Sequence, residues 1–132
     1  MASLLFDRRV RRICAALWGG AWAVVAVLLL SPLNVPAPSG SDLVAHFLMF
    51  ATMSFTAVGF SRRPGQLAWL AFATVAISLA LEYAQGFVPH RSSTVADALA
   101  NGLGALAGYV AALLVLYLVI RPAELRYGPA AP

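Results

Sequence analysis

Lysine is absent from the chain: its nine basic residues are all arginine, and they sit in short clusters instead of lining a polar face. That placement excludes the broad cationic surface a nucleic acid needs, despite a net charge of +4. Cysteine is scarce as well. Cys14 stands alone, so it can form no internal disulfide and offers no metal-ligand spacing; it reads as an apolar packing residue. Charge of either sign is rare, at 11% of residues against about a quarter in soluble proteins. With 61% hydrophobic residues and a mean hydropathy of +0.83, the 132 residues leave no room for a soluble domain. The composition is that of an integral membrane protein.

What the sequence does contain is long apolar runs. Crossing a hydrocarbon core about 30 Å thick takes about 20 helical residues. Residues 13–30, 42–60, 66–88 and 97–120 each qualify, and "SPLNVPAPSGS", "SRRPG" and "PHRSST" separate them with proline or glycine where a helix should stop. The expected architecture is an all-α, four-helix transmembrane bundle over residues 13–120, preceded by a basic segment 1–12 and followed by a short tail 121–132. The first run follows "RRVRR", as a signal peptide would, but it is longer than the usual apolar region of about 7–15 residues and reads as an uncleaved span. Arg8, Arg9, Arg11 and Arg12 precede the first span, Arg62 and Arg63 fill the second loop, and Arg121 and Arg126 follow the last span. The first and third loops share only Arg91. By the positive-inside rule both termini are expected in the cytoplasm, with the 31–41 and 89–96 loops outside.

The polar residues then fall at one membrane face. Asp42 opens the second span with His46 one turn deeper; Glu82 and Gln85 lie in the last two turns of the third; Asp97 opens the fourth with Asn101 one turn deeper; His90 and Arg91 sit in the loop between. Helical spacing puts Asp42, His46 and Met49 on one stripe, Ser78, Glu82 and Gln85 on a second, and Asp97, Asn101 and Gly104 on a third. Charge in hydrocarbon costs about 2.5–3.5 kcal/mol on insertion scales, so each stripe must turn from lipid, and the cheapest arrangement points the three at one another. Ala100, Gly104 and Gly108 add a small-residue spacing that lets backbones approach, within the bundle or between copies of the chain.

Simpler readings exist for most of these residues. Asp42 follows Ser39 and Ser41, and Asp97 follows Thr94 at capping-box spacing, so both could stabilise helix starts. His46 could be a hydrogen-bonded interior histidine, Asn101 interhelical glue, and His90 and Arg91 solvated loop residues. Trp18, Trp22, Trp69, Tyr83, Phe87 and Tyr117 read as interfacial anchors or packing, and Met49 and Met53 as core filler. Glu82 resists such an account. It lies about 9 Å below Val88 by helical rise, and an acid inside a membrane is a functional candidate by default, with Arg91 or His46 as its expected partner.

The stretches "SDLVAHF" and "LEYAQGFVPHRSSTVADALANGLGALAG" resemble the VanZ-like family of small bacterial membrane proteins. The shared pattern is Asp-x-x-x-His, then Glu-x-x-Gln, an arginine and serine in a short loop, and Asp-x-x-x-Asn-x-x-Gly. Here these are Asp42 and His46, Glu82 and Gln85, Arg91 with Ser92 or Ser93, and Asp97, Asn101 and Gly104. The resemblance covers roughly residues 40–112 and implies a multi-pass protein of the bacterial cytoplasmic (inner) membrane. The family takes its name from a member associated with resistance to the lipoglycopeptide teicoplanin; the resemblance supplies no reaction.

Three functions follow as expectations. The leading one is an outward-facing pocket, made by Asp42, His46, Glu82, Gln85, Arg91, Ser92, Asp97 and Asn101, that binds a lipid-linked cell-envelope component or a lipoglycopeptide. A second is a membrane-embedded enzyme acting on an envelope lipid or polyprenyl phosphate, with Glu82, His46 or Asp97 as the acid-base group and Arg91 with Asn101 steadying negative charge. A metal form of it would use Asp42, His46 and Glu82 as a facial ligand set, although no HExxH or nucleophile-elbow motif is present. The third is a proton- or ion-coupled transport subunit, for which the inner halves of the spans lack ionisable residues. No cofactor is specified by the sequence.

Overall fold

The structure is a computed structural model that describes residues 7–32, 40–89 and 93–127. Helix α1 (Arg8–Leu30) begins upstream of the first apolar run because Asp7, in an extended conformation, accepts the Arg9 backbone N–H at 2.7 Å and caps the helix. The arginine cluster is therefore its first turn. Helix α2 (Ser41–Thr56) starts from Gly40, whose φ of 81° lies in the left-handed region that side chains disfavour, and it runs into a short 3₁₀ turn, Ala57–Gly59. Helix α3 (Pro64–Gln85) has proline in its first turn, where the missing N–H costs no bond. It stops at Gln85, short of the expected Val88, and the chain continues in turns in which the Val88 N–H bonds the Gln85 carbonyl at 2.9 Å. Helix α4 (Val95–Val115) opens with a Thr94–Asp97 capping box and passes through a π turn, Leu116–Ile120, into α5 (Arg121–Tyr127). No strand occurs among the described residues, and four helices are long and apolar enough to cross a membrane.

Helix α4 is the centre of the bundle, and its contact with α2 is the most extensive between any two helices. Glycine makes that contact. A Cβ on Gly104 would collide with the Phe47 carbonyl, and one on Gly108 with the Ala51 carbonyl. The spacing expected to let helices approach is thus used inside the chain: both glycines are buried against α2. The opposite face of α4 carries Leu99, Leu103, Leu106, Val110 and Leu114, all exposed at helical spacing, as a lipid-facing surface requires.

The interior is stratified along the membrane normal. At the arginine end, Ala57, Val58, Leu67, Ala112, Leu116 and Ile120 form one apolar cluster. In the middle, Val25 and Leu29 of α1 pack with Phe50 and Met53 of α2, flanked by Trp18, Trp22 and Met49. Trp18 donates its Nε1–H to the Met53 carbonyl at 2.8 Å, and Arg11 reaches the Phe60 carbonyl through Nε at 3.1 Å and Nη2 at 2.9 Å. Arg62 adds a bond from Nη1 to Val58 O at 2.8 Å. These donors bond carbonyls at and just beyond the end of α2, where helical partners run out, so Arg11 and Arg62 help secure the fold. Trp69 is 72% exposed and Tyr83 73%, in keeping with lipid-contacting aromatics. The polar residues of the three stripes occupy the remaining end.

Because the Ala51 carbonyl sits where a side chain on residue 108 would go, Gly108→Ala should lower unfolding stability in detergent by about 1–3 kcal/mol, the usual cost of overpacking. Gly102→Ala, which meets nothing within 4 Å, should not lower it. A thermal or denaturant melt of the two variants checks this, and equal losses would contradict the packing.

Candidate functional site

His46 stands at the middle of the polar end. It projects from the second turn of α2, is 3% exposed, and directs Nδ1 to Asn101 Oδ1 of α4 at 2.9 Å. Glu82 of α3 brings Oε2 to 3.8 Å from the same nitrogen. Asn101 Oδ1 can only accept, so this contact is a hydrogen bond in the tautomer that carries its proton on Nδ1, which leaves Nε2 as the acceptor. The other nitrogen, Nε2, faces Asp42 Oδ1, one turn back on α2, at 3.9 Å. Asp97 joins from the first turn of α4: Asp42, His46 and Asp97 each present a potential ligand atom within 4.8 Å of the others. Side chains from three helices thus meet around one imidazole.

The two aspartates differ in what they do locally. Asp97 Oδ2 accepts the Thr94 backbone N–H at 3.1 Å and the Thr94 hydroxyl at 2.7 Å, while Thr94 Oγ1 accepts the Asp97 N–H at 3.2 Å. Its capping role is real, and it holds the carboxyl in place while Oδ1 takes none of these bonds. Asp42 makes no such cap. Gly40, at the N-cap of α2, has no side chain to cap with, and the Asp42 side chain is 66% exposed at the rim. A negative charge in the first turn still favours the helix dipole, but that demands no particular direction of the side chain.

Among the described residues several buried polar atoms here have no hydrogen-bond partner: both oxygens of Glu82, Gln85 Oε1 and Asn101 Nδ2. Glu82 is 4% exposed and Asn101 fully buried. Unsatisfied groups cost about 1–3 kcal/mol each and more when charged, so four such atoms at one end of the bundle mark a place where something polar belongs. Gln85 is buried beside Glu82 on the same helix face, but no hydrogen bond ties it to the histidine cluster. Ser78, the inner member of that stripe, donates to the Val75 carbonyl of its own helix at 2.8 Å. His90, Arg91 and Ser92 lie outside the described residues, so the expected pairing of Arg91 with Glu82 does too.

One residue escaped the sequence reading. Ser54 is buried with an unpartnered Oγ and lies at two four-residue steps from His46 on α2. Four-residue spacing was the available signal, interrupted by the apolar Phe50. The metal set expected from Asp42, His46 and Glu82 also differs: the group with ligand-like spacing contains Asp97 in place of Glu82, because Glu82 faces the Nδ1 side of the ring already occupied by Asn101.

A family model described as VanZ/LLP1 matches residues 8–118. No curated protein and no solved structure matches the chain.

The His46–Asn101 bond should carry measurable energy. A double-mutant cycle of His46→Ala and Asn101→Ala, read by unfolding in detergent, should return a coupling of about 0.6–1.7 kcal/mol, the range for hydrogen bonds between membrane helices. Additive losses would show that the contact contributes nothing.

Proposed function

The chain belongs to the VanZ/LLP1 family of membrane proteins, and from that premise we propose that its polar end binds the head group of a lipid-linked cell-envelope component or a lipoglycopeptide at the outer leaflet. The observation that carries the reading is the set of unpartnered buried polar atoms on Glu82, Gln85 and Asn101, gathered with His46 where three helices meet. Their donors and acceptors suit a ligand rich in hydroxyl, amide or phosphate groups. The surrounding apolar surface, with Tyr83 and Phe87 exposed nearby, suits a ligand whose chain stays in the bilayer. Arg91 and Ser92 are proposed to complete the pocket from the 89–96 loop.

The membrane is taken to be the bacterial cytoplasmic membrane with both termini inside, since eight of nine arginines belong to the termini and the second loop. In that orientation the pocket faces outward, the side from which a teicoplanin-type antibiotic arrives, and a role in resistance would follow from competition for the same envelope precursor. An enzyme acting on the same lipids is the second reading. It is favoured by the placement of His46 between Glu82 and Asp42, an arrangement able to take up and return a proton.

Binding is tested in nanodiscs by native mass spectrometry against a polyprenyl phosphate and, in parallel, a lipoglycopeptide. The parent protein should retain at least one of them over phosphatidylglycerol, and Glu82→Gln and Asn101→Ala should each weaken retention about tenfold, the equivalent of about 1.4 kcal/mol. Variants that retain the ligand as the parent does would remove the pocket from consideration. Turnover of the phosphate by the parent alone would move the assignment to the enzyme.

A further inference from the structure

We propose that Asp42, His46 and Asp97 form a divalent metal site, suited to Zn²⁺ or Mn²⁺, with Asn101 and Glu82 orienting the histidine from the opposite side of its ring. The inference deepens the reading above, since the ion would lie in the same site and complete it for a phosphate-bearing ligand.

Four observations support it. The first is distance. Tetrahedral ligands bound to one Zn²⁺ at about 2.1 Å stand about 3.4 Å apart. The three side chains offer ligand atoms within 4.8 Å of one another, with Asp42 Oδ1 at 3.9 Å from His46 Nε2. That separation is too long for a hydrogen bond and about half an ångström wider than a shared tetrahedral ion would set. Asp42, whose side chain is 66% exposed, has room to rotate toward the ion.

The second is the tautomer. A metal-bound histidine donates its other N–H to a fixed acceptor, which sets the ring and raises its basicity. Here Nδ1 meets Asn101 Oδ1 at 2.9 Å with Glu82 Oε2 behind it at 3.8 Å, and Nε2 faces Asp42 Oδ1 at 3.9 Å.

The third is rigidity. Asp97 Oδ2 is pinned by both groups of Thr94, so its second oxygen is held without being consumed. A ligand fixed on a helix start and another on the facing helix need little reorganisation.

The fourth is the unpartnered Glu82 carboxyl, which is buried and aimed at the ring. Carboxyl groups gathered around one imidazole repel when ionised, and a dication offsets that charge. One nitrogen and carboxylate oxygens suit Zn²⁺ or Mn²⁺ better than the all-oxygen shell of Ca²⁺ or Mg²⁺. Three protein ligands leave coordination positions open toward the rim, where the phosphate oxygen of a lipid head group can bind the ion directly.

The full chain, purified in detergent, stripped with chelator and dialysed against Zn²⁺, Mn²⁺ or Co²⁺, is assayed for bound metal by elemental analysis, for affinity by calorimetry, and for the visible Co²⁺ spectrum. The proposal expects one ion per chain and a Co²⁺ band typical of four or five ligands. It also expects affinity at least tenfold lower in His46→Gln and Asp42→Asn, with Asp7→Asn unchanged. Asp42→Asn alters a 66% exposed rim side chain and is isosteric, so it remains informative if His46→Gln fails to fold. Sub-stoichiometric uptake by the parent, or uptake indifferent to Asp42→Asn, overturns the site. Polyprenyl phosphate retained by the metal-stripped protein that takes up no ion would leave the binding reading standing and the metal refuted; one ion per chain without retained lipid would do the reverse.

Discussion

Hydrocarbon supplies no hydrogen bonds, and this single constraint orders the molecule. A polar side chain left facing lipid is costly, so an acid, an imidazole and an amide in apolar helices are driven to the same place. The result is His46 of α2 flanked by Glu82 of α3 and Asn101 of α4, with Asp42 and Asp97 at the mouth. Close approach of α2 and α4 makes the meeting possible. Gly104 and Gly108 bring the backbones together one and two turns below Asn101, so the histidine of one helix reaches the amide of the other directly.

Beneath that polar layer the bundle becomes ordinary. Apolar clusters fill the middle and the arginine end, and the buried hydroxyls of Thr74 and Ser78 bond carbonyls of their own helix. Among the described residues no ionisable group lies buried between Glu82 and the arginine end. The polar cluster is confined to one end of the bundle. Helix α1 packs lightly through Trp18 and Trp22 and takes no part in the polar cluster.

Much of this was legible in the residues. Hydropathy and breakers gave four spans, and the three polar stripes followed from helical spacing; in the structure His46, Ser78, Glu82, Gln85, Asp97 and Asn101 are all buried. Helix ends were less legible, since Asp7 and Gly40 begin α1 and α2 through backbone conformations that residue type only suggests. For the same reason the capping reading divides: Asp97 caps and Asp42 does not. Which helix α4 embraces could not be read from spacing, because Gly104 and Gly108 could equally have met another span or a second copy of the chain. Nor could the side of the imidazole that each acid takes, which depends on side-chain rotamers set by packing.

The chain holds only two histidines, His46 and His90, so imidazole nitrogens can be observed with little overlap. The most direct measurement is the ¹⁵N spectrum of histidine-labelled protein in nanodiscs, recorded for the parent, Asn101→Ala and Glu82→Gln. If the three helices meet as described, one histidine shows a hydrogen-bonded Nδ1–H whose shift moves in both variants. A pair of solvent-like histidines, indifferent to either change, would contradict the convergence on which this site depends.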